Sequence, residues 1–292
     1  MSAAAMPGSR TAAVSALPWG MWARQVRAIL RMEVGKNFLS RRGWWIYFIA
    51  LAPAALFGLH AVVMANRGRV CNTGADTIAY SWVFQFMYLR FAVFLGCAGM
   101  FVNLFRGEML EKSLHYYFLA PIRREVLVVG KYLSGLIAAF VIYGAGTAAS
   151  LAVLYGHFGS ERARVLLLES GGMSHVIAYL GVTLLACVGY GAVFTIMGQK
   201  FNNPMIPAAM VLVWEGLNPF LPSLLKKFSV IFYLKSLLPV EAAVRGPLAI
   251  LVVNTEPLPA WISIVGLLAV SVLAIVIACA KARRMEINYS SE

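Results

Sequence analysis

Charge is scarce in this 292-residue sequence: Asp, Glu, Lys and Arg together make up 13% of it. A soluble domain commonly carries about 25%. The shortfall leaves too little charged surface for a water-borne globule and excludes most soluble enzyme folds. Acidic residues are the scarcer sign, 12 against 25 basic ones, giving a formal net charge of +13. Cysteine occurs four times. Cys97, Cys187 and Cys279 fall in apolar stretches and read as small packing residues, while Cys71 lies in a polar loop, so no disulfide framework follows. The histidines, His60, His115, His157 and His175, are scattered without metal-ligand spacing, and no metal or haem site is expected. No compact group of Asp, His or Ser marks a membrane enzyme, so no catalytic residue and no cofactor are expected in this chain. The phosphate-cradling segment GxxxxGK[ST] is also absent.

What the sequence does have is apolar residues, 61% of the total, and a mean hydropathy of +0.76. Several runs approach the roughly 20 residues that a bilayer-spanning helix needs. These features define an all-α polytopic membrane protein. Residues 1–18 are rich in Ala, Ser and Pro without an apolar core of signal-peptide length, and read as a disordered tail. From Trp19 to Arg42, apolar residues at helical spacing (Trp22, Val26, Ile29, Leu30) alternate with Arg24, Arg27, Arg31 and Lys36. That pattern predicts an interfacial helix on an anionic membrane face.

Six spans are expected: 43–65, 78–105, 126–155, 175–197, one from Met205, and 261–280. The segment Trp214-Glu215-Gly216-Leu217-Asn218-Pro219 interrupts the fifth early, and Pro222 follows. Residues 224–238 are apolar but carry Lys226, Lys227 and Lys235, which suits a re-entrant or interfacial element better than a full span. Residues 19–284 thus form one transmembrane domain, followed by a short tail at 285–292. With both termini cytosolic, 16 basic residues fall inside and eight outside, with Arg90 within the second span. This asymmetry sets the orientation and explains the net charge without a nucleic-acid partner. Gly96, Gly99, Gly181, Gly189 and Gly191 permit close helix approach, for internal packing or for dimerisation.

The sharpest feature is the inner loop within GEMLEKSLHYYFLAPIRREVLVVGK, residues 107–131. Glu108, Glu111 and Lys112 precede an aromatic run containing Tyr116 and Tyr117. Pro121 stops that run, Arg123 and Arg124 follow, and Lys131 lies two turns into the next span. Such a loop suits a short amphipathic helix docking into a partner's groove, or resting on lipid headgroups.

These residues resemble the permease subunit of type-2 ATP-binding-cassette (ABC) exporters, and the likeness extends over Trp19 to Arg284. That resemblance implies an N-terminal interfacial helix, six spans, a cytosolic coupling helix in the first inner loop and re-entrant helices before the last span. On the family pattern, ATPase contact falls on Glu108, Glu111, Tyr116, Tyr117, Pro121, Arg123 and Arg124. It further implies two copies of a separate cytosolic ATPase holding ATP and Mg, a second permease chain as a homodimer, and a bacterial or archaeal cytoplasmic membrane rich in contacting lipid. The alternative is an ion channel or secondary carrier independent of any ATPase. Arg90 and Glu215 are the ionisable residues these spans bury. Such charges are costly unless paired or hydrated, so they are expected either to pair or to line the translocation route. Substrate identity does not follow, because the apolar composition reports membrane residence alone.

Overall fold

The computed structural model describes residues 19–39, 43–67, 72–119, 121–240 and 258–285. The expected N-terminal tail, nearly all of the C-terminal one, Cys71 and Arg245 lie outside the described residues. The chain is all-helical there. Helix α1 spans Trp19–Leu39 and α2 Trp44–Asn66. Helix α3 runs unbroken over Thr73–Leu110, its middle wound as a π-helix at Val83–Val93. Then follow α4 (Leu114–Leu119), α5 (Arg124–Gly156), α6 (Ser160–Leu168) and α7 (Gly172–Lys200). The remainder comprises α8 (Met205–Leu217), α9 (Ser223–Lys226), α10 (Val230–Lys235) and α11 (Ala260–Arg283).

Five of these, α2, α3, α5, α7 and α11, are long and apolar enough to cross a membrane. The expected count of six is therefore not reached among the described residues. The difference is α8. Its 13 residues rise about 20 Å, short of the roughly 30 Å hydrocarbon core. Pro219 then falls in a single 3-10 turn at Asn218–Phe220, and Pro222 precedes α9. The segment expected to be re-entrant forms two short helices of four and six residues, α9 and α10, neither able to span.

Helices α3, α5 and α7 make the buried centre, with α2 and α11 more exposed on its flanks. The flanking helices show large apolar side chains outward, among them Phe48, Leu59, Val265 and Val272, as lipid-facing surfaces should. Tyrosines knit the centre together. Tyr88 donates to Tyr143 O at 2.8 Å, Tyr132 donates to Val188 O at 2.9 Å, and the Tyr80 and Ser150 hydroxyls lie 2.8 Å apart. Tyr143 in turn donates to Ala92 O at 3.0 Å, inside the π segment. That hydroxyl occupies the space a Cβ on Gly96 would fill, 1.3 Å from its position. A side chain inserted at a helix carbonyl is a recognised cause of local widening, and here it coincides with the π geometry.

The small residues of α3 and α7 serve internal packing at Gly96 and Gly191, which lie against Tyr143 and Phe101, whereas Gly181 faces open space. The tightest backbone approach is at Gly146 of α5, where a Cβ would lie 2.3 Å from Ala50 O in α2. A backbone atom cannot rotate away. Gly146→Ala should therefore destabilise the bundle by about 1–3 kcal/mol, the usual cost of overpacking. Gly181→Ala should be neutral, and thermal unfolding of the detergent-solubilised variants measures both.

Candidate functional site

Two clusters hold the residues singled out in the sequence. The first gathers where α3 ends and α5 begins. Helix α3 terminates in a Schellman turn: Ser113 N donates to Glu108 O at 2.9 Å and Lys112 N to Met109 O at 3.2 Å. Lys112 takes the left-handed position, with φ 55°, usually held by glycine. The turn delivers α4 with Leu114 and Tyr117 facing inward and Tyr116 and Leu119 outward, 69% and 79% exposed. Pro121 ends the segment. Its carbonyl accepts from Gln25 of α1 at 3.2 Å.

At the centre of this cluster is Lys131, without exposed surface. Its Nζ lies 2.7 Å from Glu108 Oε1 and 3.2 Å from Glu33 Oε1. Tyr117 donates to Glu33 Oε1 at 2.6 Å and places its ring 4.7 Å from the lysine Nζ. Lys36 completes the set, 3.4 Å from Glu33 and 3.9 Å from Glu108. Burial by itself raises the Glu33 carboxyl, but Lys131, the Tyr117 hydroxyl and Lys36 outweigh it and hold Glu33 below its ordinary value. Burial and the adjoining Glu33 push the Tyr117 phenol upward. Four elements, α1, α3, α4 and α5, meet in this one network.

The other expected contact residues divide in two. Arg123 places its guanidinium 4.9 Å from the Trp22 ring of α1. Arg124 donates through Nη1 to the carbonyls of Ala282, Arg283 and Met285, at 3.2, 3.0 and 2.8 Å, closing the end of α11. Glu125 pairs with Arg283 beside it. A cavity of about 420 Å³ opens next to these residues, lined by Trp19, Trp22, Val26, Arg123 and Arg283 among others. Pro121, Arg123 and Arg124 thus hold α4's flank to α1 and α11. Glu108 and Tyr117 are turned inward, whereas Glu111 and Tyr116 lie on the surface. Sequence reasoning missed Glu33. The available signal was that Glu33 is the lone acidic residue between Trp19 and Arg42.

The second cluster surrounds Glu215, at the end of α8 and 2% exposed. Its carboxylate accepts from Val230 N and Ile231 N, each at 2.9 Å, from Ser229 Oγ at 2.8 Å and from Tyr190 OH at 3.4 Å. It therefore caps the start of α10 and ties α8, α10 and α7 together. Pairing with Arg90, one of the two alternatives expected, is not made: those four donors occupy the carboxylate. Arg90 instead lies in the π segment, its guanidinium 4.7 Å from the Phe86 ring, with Nε and Nη2 buried and without hydrogen-bond partners.

Scattered along the chain, His60 and His157 meet in space with ring centroids 5.8 Å apart. Comparison of the sequence with family models and with curated proteins finds no match.

Removing Lys131 strands two buried carboxylates, an event that commonly costs about 3–5 kcal/mol. Lys131→Met should therefore unfold far more readily than wild type in a denaturant series. Because Glu33 is held low, its stabilising contribution is full above the ordinary carboxylate value of about 4.3 and is lost as pH falls through its lower folded value. Wild type should lose stability below that pH more steeply than Glu33→Gln. At the second cluster, Glu215→Ala leaves buried amides unpaired at about 1–3 kcal/mol each, and should destabilise more than Glu215→Gln, which keeps an acceptor oxygen.

Proposed function

We propose that this chain is the membrane permease subunit of an ATP-driven exporter resembling the type-2 ABC class. It acts as a homodimer with two cytosolic ATPase subunits, in a bacterial or archaeal cytoplasmic membrane with both termini inside. ATP and Mg are held by the partner, and the chain itself is not an enzyme. The polytopic all-α architecture, with five long apolar helices, suits a transport role.

The observation that carries the reading is α4. It is a six-residue helix whose inner face is fixed by Leu114 and Tyr117 while Tyr116 and Leu119 project outward. Lipid-facing helices are expected to show apolar residues. A short helix outside the candidate spans, anchored through a buried ion network and offering an aromatic and a leucine, has the form of a small docking knob. Through Tyr117, α4 is coupled to Glu33 and Lys131, so displacement of the knob acts directly on α1 and α5. On this reading Glu108 and Tyr117 transmit force, while Glu111, Tyr116 and neighbouring Leu119 meet the ATPase.

Arg90 favours a second reading, an ion channel or carrier independent of ATP. Its unpartnered buried donors supply a fixed cation within a candidate span, the kind of group that selects or couples to anions. The same Arg90 can serve the translocation route of an exporter, so partner dependence separates the two readings. Affinity purification in mild detergent should recover a cytosolic ATPase in equal number. Tyr116→Ala with Leu119→Ser should reduce recovery about tenfold or more, since losing an interface anchor costs about 2 kcal/mol, without altering thermal stability. A stable preparation lacking an ATPase partner, with transport driven by an ion gradient, would establish the carrier instead.

A further inference from the structure

The end of the bundle opposite α4 brings together three ligand-bearing side chains from three helices. His60 lies in the last two turns of α2, Asp76 in the first turn of α3, and His157 at the C-cap of α5. Lys131 and His157 are 26 residues apart on α5 and its cap, about 39 Å of helix rise. The site is thus remote from the α4 network and owes nothing to it.

His60 Nε2 lies 3.4 Å from Asp76 Oδ1, and the ligand atoms of all three residues lie within 4.8 Å of one another. Two atoms bound at about 2.0–2.1 Å to a tetrahedral ion are about 3.4 Å apart. The His60–Asp76 separation already equals that edge, and it exceeds the roughly 2.7–3.2 Å of a well-formed N–H···O bond. The third ligand atom, on the half-buried His157, lies within 4.8 Å of the other two. Asp76 is not consumed by local structure. The N-cap of α3 is Asn72, whose Oδ1 accepts from Gly74 N and Ala75 N at 3.1 and 3.3 Å. Asp76 Oδ2 is buried and has no hydrogen-bond partner.

The surroundings favour a cation. Helices α2 and α5 both end here and α3 begins, so two C-termini, each worth roughly half a negative charge, outweigh one N-terminus of opposite sign. Two borderline imidazoles with one hard carboxylate suit zinc and its late first-row neighbours, whereas Mg²⁺ and Ca²⁺ take all-oxygen sites. Three protein ligands also leave a fourth position for water.

We propose that His60, Asp76 and His157 form a binding site for a late first-row divalent cation, with Zn²⁺ the best-fitting ion, that clamps the ends of α2, α3 and α5. The inference is independent of the transporter reading, because it concerns only ion binding.

The test uses the full chain, stripped with chelator and exchanged into lipid nanodiscs. Zn²⁺ alone is titrated against a chromophoric competitor. One ion should bind per chain, with micromolar or tighter affinity, and should raise the thermal midpoint. His60→Ala, Asp76→Asn and His157→Ala should each weaken binding by at least about 10–100-fold, the loss that even an outer-shell partner's removal produces. His175→Ala, which alters a histidine outside the trio, should bind as wild type. Co²⁺ added to wild type should give the intense d–d absorption of a tetrahedral nitrogen–oxygen site, a readout needing no variant. Absence of zinc binding by wild type, equal binding by the His60 and His157 variants, or a weak octahedral Co²⁺ spectrum would each overturn the proposal.

Discussion

A lysine ammonium with no exposed surface needs its charge answered from within the protein, and Lys131 imposes that demand where four chain segments converge. Water is unavailable to it, so oxygen atoms must be supplied, and one carboxylate is not enough for a group with three donors. Glu108 comes from the helix before the inner loop and Glu33 from the N-terminal helix, while the Tyr117 hydroxyl holds Glu33 in position. Without Lys131 the two carboxylates are left with the exposed Lys36, 3.4 and 3.9 Å away. The arrangement is mutually obligatory, and it fixes α1 against α5 at a point where hydrophobic burial alone distinguishes poorly between registers. Ile29 of α1 lying over Gly130 of α5, where a Cβ would sit 3.0 Å from it, shows how closely that register is set.

The same constraint is met differently within the bundle. Glu215 is satisfied by amides and hydroxyls, with no counter-charge bonded to it. A carboxylate that accepts two successive backbone N–H groups does the work of an N-cap and also fixes where the chain turns after α8. Arg90 is the exception, a guanidinium with unpartnered nitrogens in a stretch of π-helix. π-turns concentrate at functional positions because the altered winding is maintained only where neighbouring structure enforces it. Tyr143, reaching the carbonyl of Ala92 across Gly96, is the neighbour that enforces it here.

Much of this architecture was legible because the bilayer imposes length and hydropathy on each span. Helices α2, α5, α7 and α11 follow the apolar runs closely, and Pro121 stops the inner-loop helix where proline should. The fifth expected span was less legible. Its apolar residues are sufficient in kind, but Pro219 and Pro222 limit the helix below, and hydropathy alone weighs only the residues above. The π segment of α3 was illegible, since the contact that coincides with it comes from a tyrosine 51 residues beyond Ala92. The Arg90–Glu215 pairing failed for a related reason. Opposite charges at similar depth suggest a bond, yet the donors that capture Glu215 are backbone amides, and a sequence does not say where amides point. Glu33 was within reach, as a lone carboxylate in a basic helix, but its partner is nearly 100 residues on. His60, Asp76 and His157 share no spacing at all, because three different helices bring them together.

The layout also bears on how force could travel under the transporter reading. A signal arriving at Tyr116 and Leu119 must pass through Tyr117 to Glu33 and Lys131, because these are the contacts that fix the inner face of α4. From Lys131 it enters α5, a 33-residue helix without proline, which carries displacement along its whole length. Helix α3 runs beside it and is tied to it at the π segment, where Tyr143 of α5 donates to Ala92 O and accepts at its carbonyl from Tyr88. Arg90 lies in that same segment, between Val83 and Val93. At the far end, α2, α3 and α5 come together around His60, Asp76 and His157. A cation bound there would pin α3 and α5 at that end, opposite the Glu108–Lys131 pair that joins them at the other. The π segment, with Arg90 in it, then lies between those two joined ends and is itself held to α5 by the Tyr88 and Tyr143 hydrogen bonds, so a shift of α5 reaches the surroundings of Arg90 through packed contacts.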